Sequence, residues 1–77
     1  MGCRITNRIR QLREDHDQMT QQALADRIGV TRQTVNAIEL GKYSPTLEVA
    51  FLIAEVFCVP LEKVFQHQRA RTGGGSN

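Results

Sequence analysis

The chain has 77 residues, of which 40% are hydrophobic and 23% charged, and its formal net charge is +2. This length allows one domain with a modest core, and the composition is ordinary for a folded soluble chain, which argues against disorder over the whole length. No apolar run approaches the ~20 residues of a membrane span. We therefore expect a cytoplasmic protein, and the small net charge by itself does not indicate which partner it binds.

The cysteines, histidines and glycines do not form a pattern typical of an enzyme or a metal site. Cys3 and Cys58 are too few for a disulfide framework and are expected to be free thiols in a reducing compartment. Cys58 lies in an apolar stretch, which favours an inert thiol. No nucleophile is paired with a base, and the only glycine run lies in the tail. We predict a protein that is not an enzyme and that has no cofactor and no metal.

The first residues allow two interpretations. Residues 1–6, MGCRIT, formally fit the pattern for N-terminal myristoylation, with Cys3 as a second acylation site. The alternative is that Gly2 and Cys3 are frayed residues before a first helix. We favour the helix, because such short motifs recur by chance and Arg4 and Ile5 begin a helical pattern.

Apolar residues recur at helical spacing in the first half of the chain. Their spacing predicts helix one over residues 4–15. Thr20 is an N-cap candidate for helix two, which Gly29 ends in the left-handed position that glycine favours. Thr31 caps helix three, which Gly41 ends.

The second half continues the helical pattern. The segment SPT at residues 44–46 opens helix four, which runs to about Phe57. Pro60 starts a short helix five that includes Phe65. No strand-like alternation occurs, so we predict an all-α fold, a compact bundle of five helices. Residues 1–68 form the domain, and residues 69–77, which include GGGSN, form a flexible tail.

Helix three has one apolar face and one face of uncharged hydrogen-bonding groups. Val35 and Ile38 mark its core side, and at ~100° per residue the polar groups then point away from the core. Arg pairs with guanine, Gln with adenine, and a small Ala side chain fits a thymine methyl group. A solvated surface would more often carry Glu–Lys pairs. The candidate base contacts are Thr31, Arg32, Gln33, Asn36 and Ala37.

The start of helix two and the start of helix three suit the DNA backbone. Gln21 and Gln22 offer amide side chains beside free backbone N–H groups, which suit a phosphate. The hydroxyl of Thr34 can reach a phosphate or a base.

Helix four has two apolar faces. Its inward face is expected to contain Leu47, Ala50, Ile53, Ala54 and Phe57, and a second stripe consists of Val49, Leu52 and Val56. The second stripe is covered either by helix five or by another chain, and we favour a homodimer because an exposed apolar patch usually marks an interface. A two-fold dimer would place two helices three about 34 Å apart and predicts a palindromic operator in double-stranded DNA.

Residues 5–66 resemble the phage repressor/Cro-type helix-turn-helix family, also called the xenobiotic-response-element family of transcriptional regulators. The resemblance rests on the segments RIRQLR, TQQALA and IGV, on TRQTVNAIE, and on GKYSP with the apolar positions of helix four. It covers about four fifths of the chain. It implies a λ-repressor-like DNA-binding domain with the helix-turn-helix at helices two and three.

The resemblance also implies roles for individual residues. Lys42 and Tyr43 match the loop that contacts the DNA backbone after the recognition helix, and Gln21 and Thr34 match other backbone contacts. Arg13 and Glu39 match a structural ion pair that links helix one to helix three. The sequence departs from the family pattern in the loop before Thr20, which is about one residue longer than the commonest form, and at Leu40, a position that is often polar. Gln18 and Cys58 also stand where glycine is common.

These observations predict a sequence-specific DNA-binding transcriptional regulator, a dimeric repressor of its own or neighbouring genes. It would contact the major groove with helix three, residues 31–40. The alternative is a protein-interaction module, such as the antitoxin that binds a toxin partner. Such a module would not need hydrogen-bonding residues on the adjoining surfaces of helices two and three.

Overall fold

The computed structural model describes residues 3–69, with side chains described from residue 5 to residue 67. Within this range the chain forms five helices and one two-stranded antiparallel sheet. In chain order the elements are β1 (Cys3–Asn7), α1 (Ile9–Asp15), α2 (Gln21–Ile28), α3 (Arg32–Glu39), α4 (Leu47–Phe57), α5 (Leu61–Val64) and β2 (Phe65–Arg69). Among the described helices, none combines the length and the apolar character needed to cross a membrane.

Threonine caps explain where the three middle helices begin. The hydroxyl oxygens of Thr20, Thr31 and Thr46 each accept a hydrogen bond from the backbone N–H three residues later, at 3.0, 3.1 and 3.2 Å. A cap of this kind stabilises a helix by ~1 kcal/mol. Gly29 and Gly41, which follow α2 and α3, have φ angles of 76° and 75°, which glycine adopts without steric cost. The predicted starts of these helices are therefore confirmed.

The small sheet shows that the all-α prediction was wrong in one part. β1 pairs with β2 from Cys3 opposite Arg69 to Asn7 opposite Phe65. Most of the residues predicted as the first turns of helix one are strand, and α1 begins only at Ile9. The β-branched pair Ile5 and Thr6 favours extended backbone. Helical spacing could not reveal the pairing, because the partner strand lies at the other end of the described chain.

The pairing of β1 with β2 also affects residues that the sequence assigned to helix five and to the tail. Phe65, predicted to belong to helix five, begins β2, and Arg69, predicted to begin the tail, ends it. The remainder of the predicted flexible tail, residues 70–77, lies outside the described residues, as does Gly2 of the acylation pattern.

One core cluster holds the helices together. Its buried members come from α1 to α5 and are Ile9, Leu24, Ala25, Ile28, Val35, Ile38, Ile53, Ala54, Phe57 and Val64. Leu47, predicted to face inward, is instead 69% exposed. It is the first residue of α4, and only the later turns of that helix, from Ala50 onward, contribute to the buried set.

Cys58 also differs from its predicted setting. It is exposed rather than surrounded by apolar side chains, because it ends α4 in the left-handed conformation with φ of 56°. Asp17 and Gln18, before α2, have φ angles of 56° and 53°. At two of these positions, Gln18 and Cys58, glycine is common in the family that the sequence resembles.

Candidate nucleic-acid interface

The turn between α2 and α3 sets the position of the candidate recognition helix. The backbone N–H groups of Gly29 and Val30 both donate to the carbonyl oxygen of Ala25, at 2.9 and 3.0 Å. This closes α2 and turns the chain, so that Thr31 can begin α3. Val35 and Ile38 of α3 are buried in the same core cluster as the inner face of α2. The opposite face of α3 is thereby directed to solvent.

The exposed face of α3 carries the predicted base contacts. Arg32, Gln33 and Asn36 are exposed, and Ala37 is half-buried. Side chains of Arg and Asn can hydrogen-bond base edges, and the fork of Arg fits guanine. The geometry therefore places three hydrogen-bonding side chains and one small apolar side chain on one helix face.

Thr31 and Thr34 are partly engaged within the protein. The Thr31 hydroxyl oxygen accepts from the backbone N–H of Thr34 at 3.1 Å, and the two hydroxyl oxygens lie 2.9 Å apart. Thr31 is exposed and Thr34 half-buried. Both hydroxyls thus define the start of α3, and any DNA contact they make would be in addition to this cap.

The predicted backbone contacts Gln22, Lys42 and Tyr43 lie on α2 and in the loop after α3. Gln22 is exposed, and its amide nitrogen donates to Asp26 Oδ1 at 2.9 Å. Lys42 and Tyr43 are exposed in the loop after α3. The backbone N–H of Lys42 donates to the carbonyl oxygen of Ala37 at 2.9 Å, which joins this loop to the end of the helix.

Arg13 and Glu39 form an ion pair between α1 and α3. Arg13 Nε donates to Glu39 Oε2 at 2.6 Å and Nη2 donates to Oε1 at 3.1 Å. Their side chains are 14% and 8% exposed. Arg13 Nη1 also donates to the backbone carbonyl of Met19 at 2.7 Å. This bidentate pair fixes α3 to α1 and to the loop before α2.

Gln21 connects that ion pair to the exposed face of α3. Its amide nitrogen donates to Glu39 Oε1 at 3.2 Å and to Asn36 Oδ1 at 3.1 Å. The structure therefore brings together a predicted base contact, a predicted backbone contact and the ion pair in one hydrogen-bond network. Both amide hydrogens of Gln21 are used within the protein.

Asn7 is a residue that the sequence analysis missed. Its amide nitrogen donates to the carbonyl oxygens of Ile38 and Glu39, at 3.0 and 3.5 Å, and its Oδ1 accepts from the backbone N–H of Ile9 at 3.1 Å. It therefore satisfies the last carbonyls of α3 and the first N–H of α1. An Asn just before an apolar run is a typical helix-start signal, and it would have placed the start of α1 within one residue of Ile9.

The second stripe of α4 is only partly exposed. Val49 and Val56 are half-buried and pack against the core, whereas Leu52 is 36% exposed. Phe51, one residue away, is 55% exposed. The exposed large apolar side chains of α4 are thus Leu47, Phe51 and Leu52.

No candidate metal centre is found in the part of the chain that the structure describes. Groups of three or more His, Cys, Asp or Glu side chains close enough to hold a metal ion do not occur among those residues.

The chain is similar to proteins of archaea and bacteria. The Helix-turn-helix family model matches residues 9–64. An uncharacterized HTH-type transcriptional regulator of Methanocaldococcus jannaschii is 45% identical over 64 residues, which are 83% of this chain and 96% of that protein. An uncharacterized HTH-type transcriptional regulator of Bacillus subtilis is 42% identical over 61 residues, covering 79% of this chain and 91% of that protein.

A solved structure supports the same fold. The crystal structure of a proposed DNA-binding protein from Bacteroides fragilis has a TM-score of 0.71 and 24% identity, over 80% of this chain and 98% of that chain. The family consists of transcriptional regulators and not of enzymes, in agreement with the absence of catalytic patterns from the sequence. The chain belongs to the Cro-type helix-turn-helix family of transcriptional regulators.

Proposed function

We propose that the chain is a sequence-specific DNA-binding regulator, a dimeric repressor that places α3 in the major groove. The observation that carries this proposal is the two-sided character of α3. One side is buried and held by Arg13, and the other exposes Arg32, Gln33 and Asn36. The names of the relatives, HTH-type transcriptional regulators, support the same function.

A recognition helix must keep its orientation when it meets a strongly charged ligand. α3 is fixed at its start by the Thr31 cap and at its end by Asn7, and Glu39 joins it to α1. Glu39 is the only acidic residue of α3, and an unpaired carboxylate there would repel DNA phosphates. Arg13 neutralises that charge, so the ion pair both orients the helix and removes this repulsion.

Contacts to the DNA backbone supply most of the affinity in complexes of this kind. Arg32, at the start of α3, and Lys42, just after its end, are exposed cations. Because the formal net charge is only +2, one domain would bind weakly. Two domains in a dimer double the number of phosphate contacts, so the binding affinity is higher and falls more steeply as the salt concentration rises.

The exposed apolar surface of α4 supports the dimer. Phe51 and Leu52 are exposed, as is Leu47 one turn before Phe51, and exposed apolar surface of this kind usually marks an interface. The stripe predicted from sequence, Val49, Leu52 and Val56, contributes Leu52 at the surface. A two-fold dimer through this face would bind half-sites about one DNA turn apart. Bound at a promoter, it would block transcription by occupancy.

The DNA-binding proposal is tested by gel-shift titration against sites selected from random DNA. Arg32→Ala and Gln33→Ala should each reduce affinity about tenfold and relax the preference at one base pair. Arg10→Ala and Gln11→Ala are the matched controls, since these residues are exposed on α1 and should leave binding unchanged. If all four variants bind alike, the assignment of α3 is wrong.

The dimer is tested by sedimentation of the purified protein. Leu52→Glu and Phe51→Glu should each yield a monomer where the unmodified protein is a dimer. Gln11→Glu adds the same charge on α1 and should leave the dimer intact. A dimer that survives both α4 variants contradicts this interface, and an unmodified protein that is monomeric favours the protein-partner alternative.

The repressor role requires a separate measurement. A reporter gene placed behind the selected site should be transcribed less when the protein is present. Arg32→Ala should restore transcription. A rise in transcription with the unmodified protein would make the chain an activator and contradict the proposed role.

A further inference from the structure

The paired strands hold Asn7 beside the last turn of α3. Asn7 is the last residue of β1 and lies opposite Phe65 of β2. The backbone N–H of the next residue, Arg8, donates to the carbonyl oxygen of Val64 at 2.9 Å. The backbone at Asn7 is therefore held by β2 and by the end of α5.

The neighbours of the Asn7 amide determine its orientation. Its oxygen Oδ1 accepts from the backbone N–H of Ile9 at 3.1 Å. Its nitrogen Nδ2 donates to the carbonyl oxygens of Ile38 and Glu39 at 3.0 and 3.5 Å. An N–H group only donates and a backbone carbonyl only accepts, so both sets of neighbours require the same orientation. The half-buried Asn7 side chain thus joins the start of α1 to the end of α3.

The carbonyl of Ile38 also takes part in the turn that ends α3. The backbone N–H of Gly41 donates to it at 3.0 Å, and the N–H of Lys42 donates to the carbonyl oxygen of Ala37 at 2.9 Å. These two bonds form a Schellman motif, with Gly41 in the left-handed conformation. A carbonyl oxygen has two lone pairs, so the Ile38 carbonyl accepts from Asn7 and from Gly41 together. The side chain of Asn7 is therefore bonded to the turn that sets the direction of the loop carrying Lys42.

The backbone at the end of α3 depends on Asn7 for a donor from outside the helix. The last carbonyls of a helix carry a partial negative charge, and α3 has no basic residue in its last turn. Among the described hydrogen bonds, those from Asn7 are the only ones that a side chain donates to these carbonyls. The Arg13–Glu39 ion pair holds a side chain of that turn and not its peptide groups. Loss of Asn7 should therefore let the last turn and the following loop shift.

We propose that Asn7 is a positioning residue for the contact that Lys42 makes with the DNA backbone. By fixing the last turn of α3, it holds the loop after α3 where the Lys42 ammonium meets a phosphate. This inference rests on the proposed function, because Lys42 contacts DNA only if α3 lies in the major groove. Asn7 itself need not touch DNA. Its influence is confined to the end of α3, so the base contacts of Arg32 and Gln33 at the start of that helix do not depend on it.

The experiment is gel-shift titration of the full chain at several salt concentrations, on a site selected from random DNA. Lys42→Ala provides the reference: affinity should fall about fivefold at low salt, and the slope of log affinity against log salt should become shallower by about one per bound chain. Asn7→Ser keeps a hydroxyl that can accept from the N–H of Ile9 but is too short to reach α3. It should show the same two losses and leave the base preferences due to Arg32 and Gln33 unchanged.

A double variant tests whether Asn7 acts through Lys42. In a chain that carries Asn7→Ser, Lys42→Ala should reduce the affinity by less than about twofold, because the contact is already lost. Val59→Ala is the matched control for lost stability, since Val59 packs against the core and its truncation destabilises without removing a described hydrogen bond. It should keep the salt slope, and Lys42→Ala should retain its full effect in that background. A full effect of Lys42→Ala in the Asn7→Ser background as well overturns the positioning role.

Hydrogen exchange of the free protein gives an independent measurement. The amide N–H groups of Gly41 and Lys42 should exchange about tenfold faster in Asn7→Ser, because the turn that protects them loosens. The N–H of Val35, which donates to the carbonyl of Thr31 at the start of α3, should keep its rate. Unchanged exchange at Gly41 and Lys42, or an equal increase along the whole helix, overturns the inference.

Failure of this inference and failure of the proposed function give different results. If the unmodified protein enriches no DNA sequence, the proposed function fails. If it enriches one but Lys42→Ala leaves the salt slope unchanged, or Asn7→Ser keeps the slope of the unmodified protein, only the present inference fails. Circular dichroism identifies a temperature at which the variants are folded and can be compared. An Asn7→Ser chain that is unfolded at every temperature makes Asn7 a residue required for folding and overturns its assignment to positioning.

Discussion

Removal of one partner of the Arg13–Glu39 pair should destabilise the domain far more than removal of one partner of an exposed ion pair. Arg13→Met leaves the Glu39 carboxylate, 8% exposed, with the amide of Gln21 as its one remaining side-chain donor among the described contacts. Glu39→Gln leaves the guanidinium without a counter-charge. A buried charge that loses its partner costs ~3–5 kcal/mol, a large part of the ~4–12 kcal/mol total stability that a chain of this length typically has.

The double variant distinguishes the free-energy cost of an unpaired buried charge from the cost of the lost hydrogen bonds. With Met at position 13 and Gln at position 39, no charge remains unpaired. We expect its free energy of unfolding to be no lower than that of either single variant, so the two costs are far from additive. The measurement is urea denaturation followed by circular dichroism at neutral pH. Arg13→Lys, which keeps the charge but loses the bidentate geometry, should cost ~1 kcal/mol and remain folded.

The chain provides its own control for this experiment. Arg10 and Glu14 form an ion pair at 3.3 Å whose side chains are 78% and 53% exposed. Arg10→Met and Glu14→Gln should each change the free energy of unfolding by less than ~0.5 kcal/mol. The reasoning is refuted if the Arg13 and Glu39 variants cost as little as these, or if the double variant loses the sum of the two single losses.

Changes at three further positions test what defines the helix ends. Thr31→Ala removes the α3 cap and should cost ~1 kcal/mol in urea denaturation; an unchanged midpoint would mean that the cap contributes nothing. Cys58→Gly should stabilise the protein by ~1 kcal/mol, because a left-handed conformation with φ of 56° is strained for any other residue; a lower melting temperature would contradict this. Asn7→Ala leaves the Ile38 carbonyl without its side-chain donor and should cost ~1–3 kcal/mol. Asn7→Asp, which cannot donate from its carboxylate, should be no better than Asn7→Ala, and full stability in either variant would show that the link is dispensable.

Local sequence signals determined the central helices and the outward face of α3. Thr20 and Thr31 cap their helices through hydrogen bonds that span three residues, and Gly29 supplies a left-handed conformation at the turn. Helical spacing then separates the buried Val35 and Ile38 from the exposed polar residues. All these signals act within one or two helical turns, so the sequence alone contains them.

Only the tertiary structure decided which distant segments meet. β1 and β2 pair from opposite ends of the described chain, and strand formation depends on such a partner more than on local preference. Leu47 is exposed because the first turn of α4 lies outside the core, to which only the later turns contribute. The direction of the Asn36 amide is likewise a tertiary property, since it is fixed through Gln21 by the ion pair between Arg13 and Glu39. The sequence shows that this chain presents hydrogen-bonding groups on α3, but only packing between helices decides which of their atoms face outward.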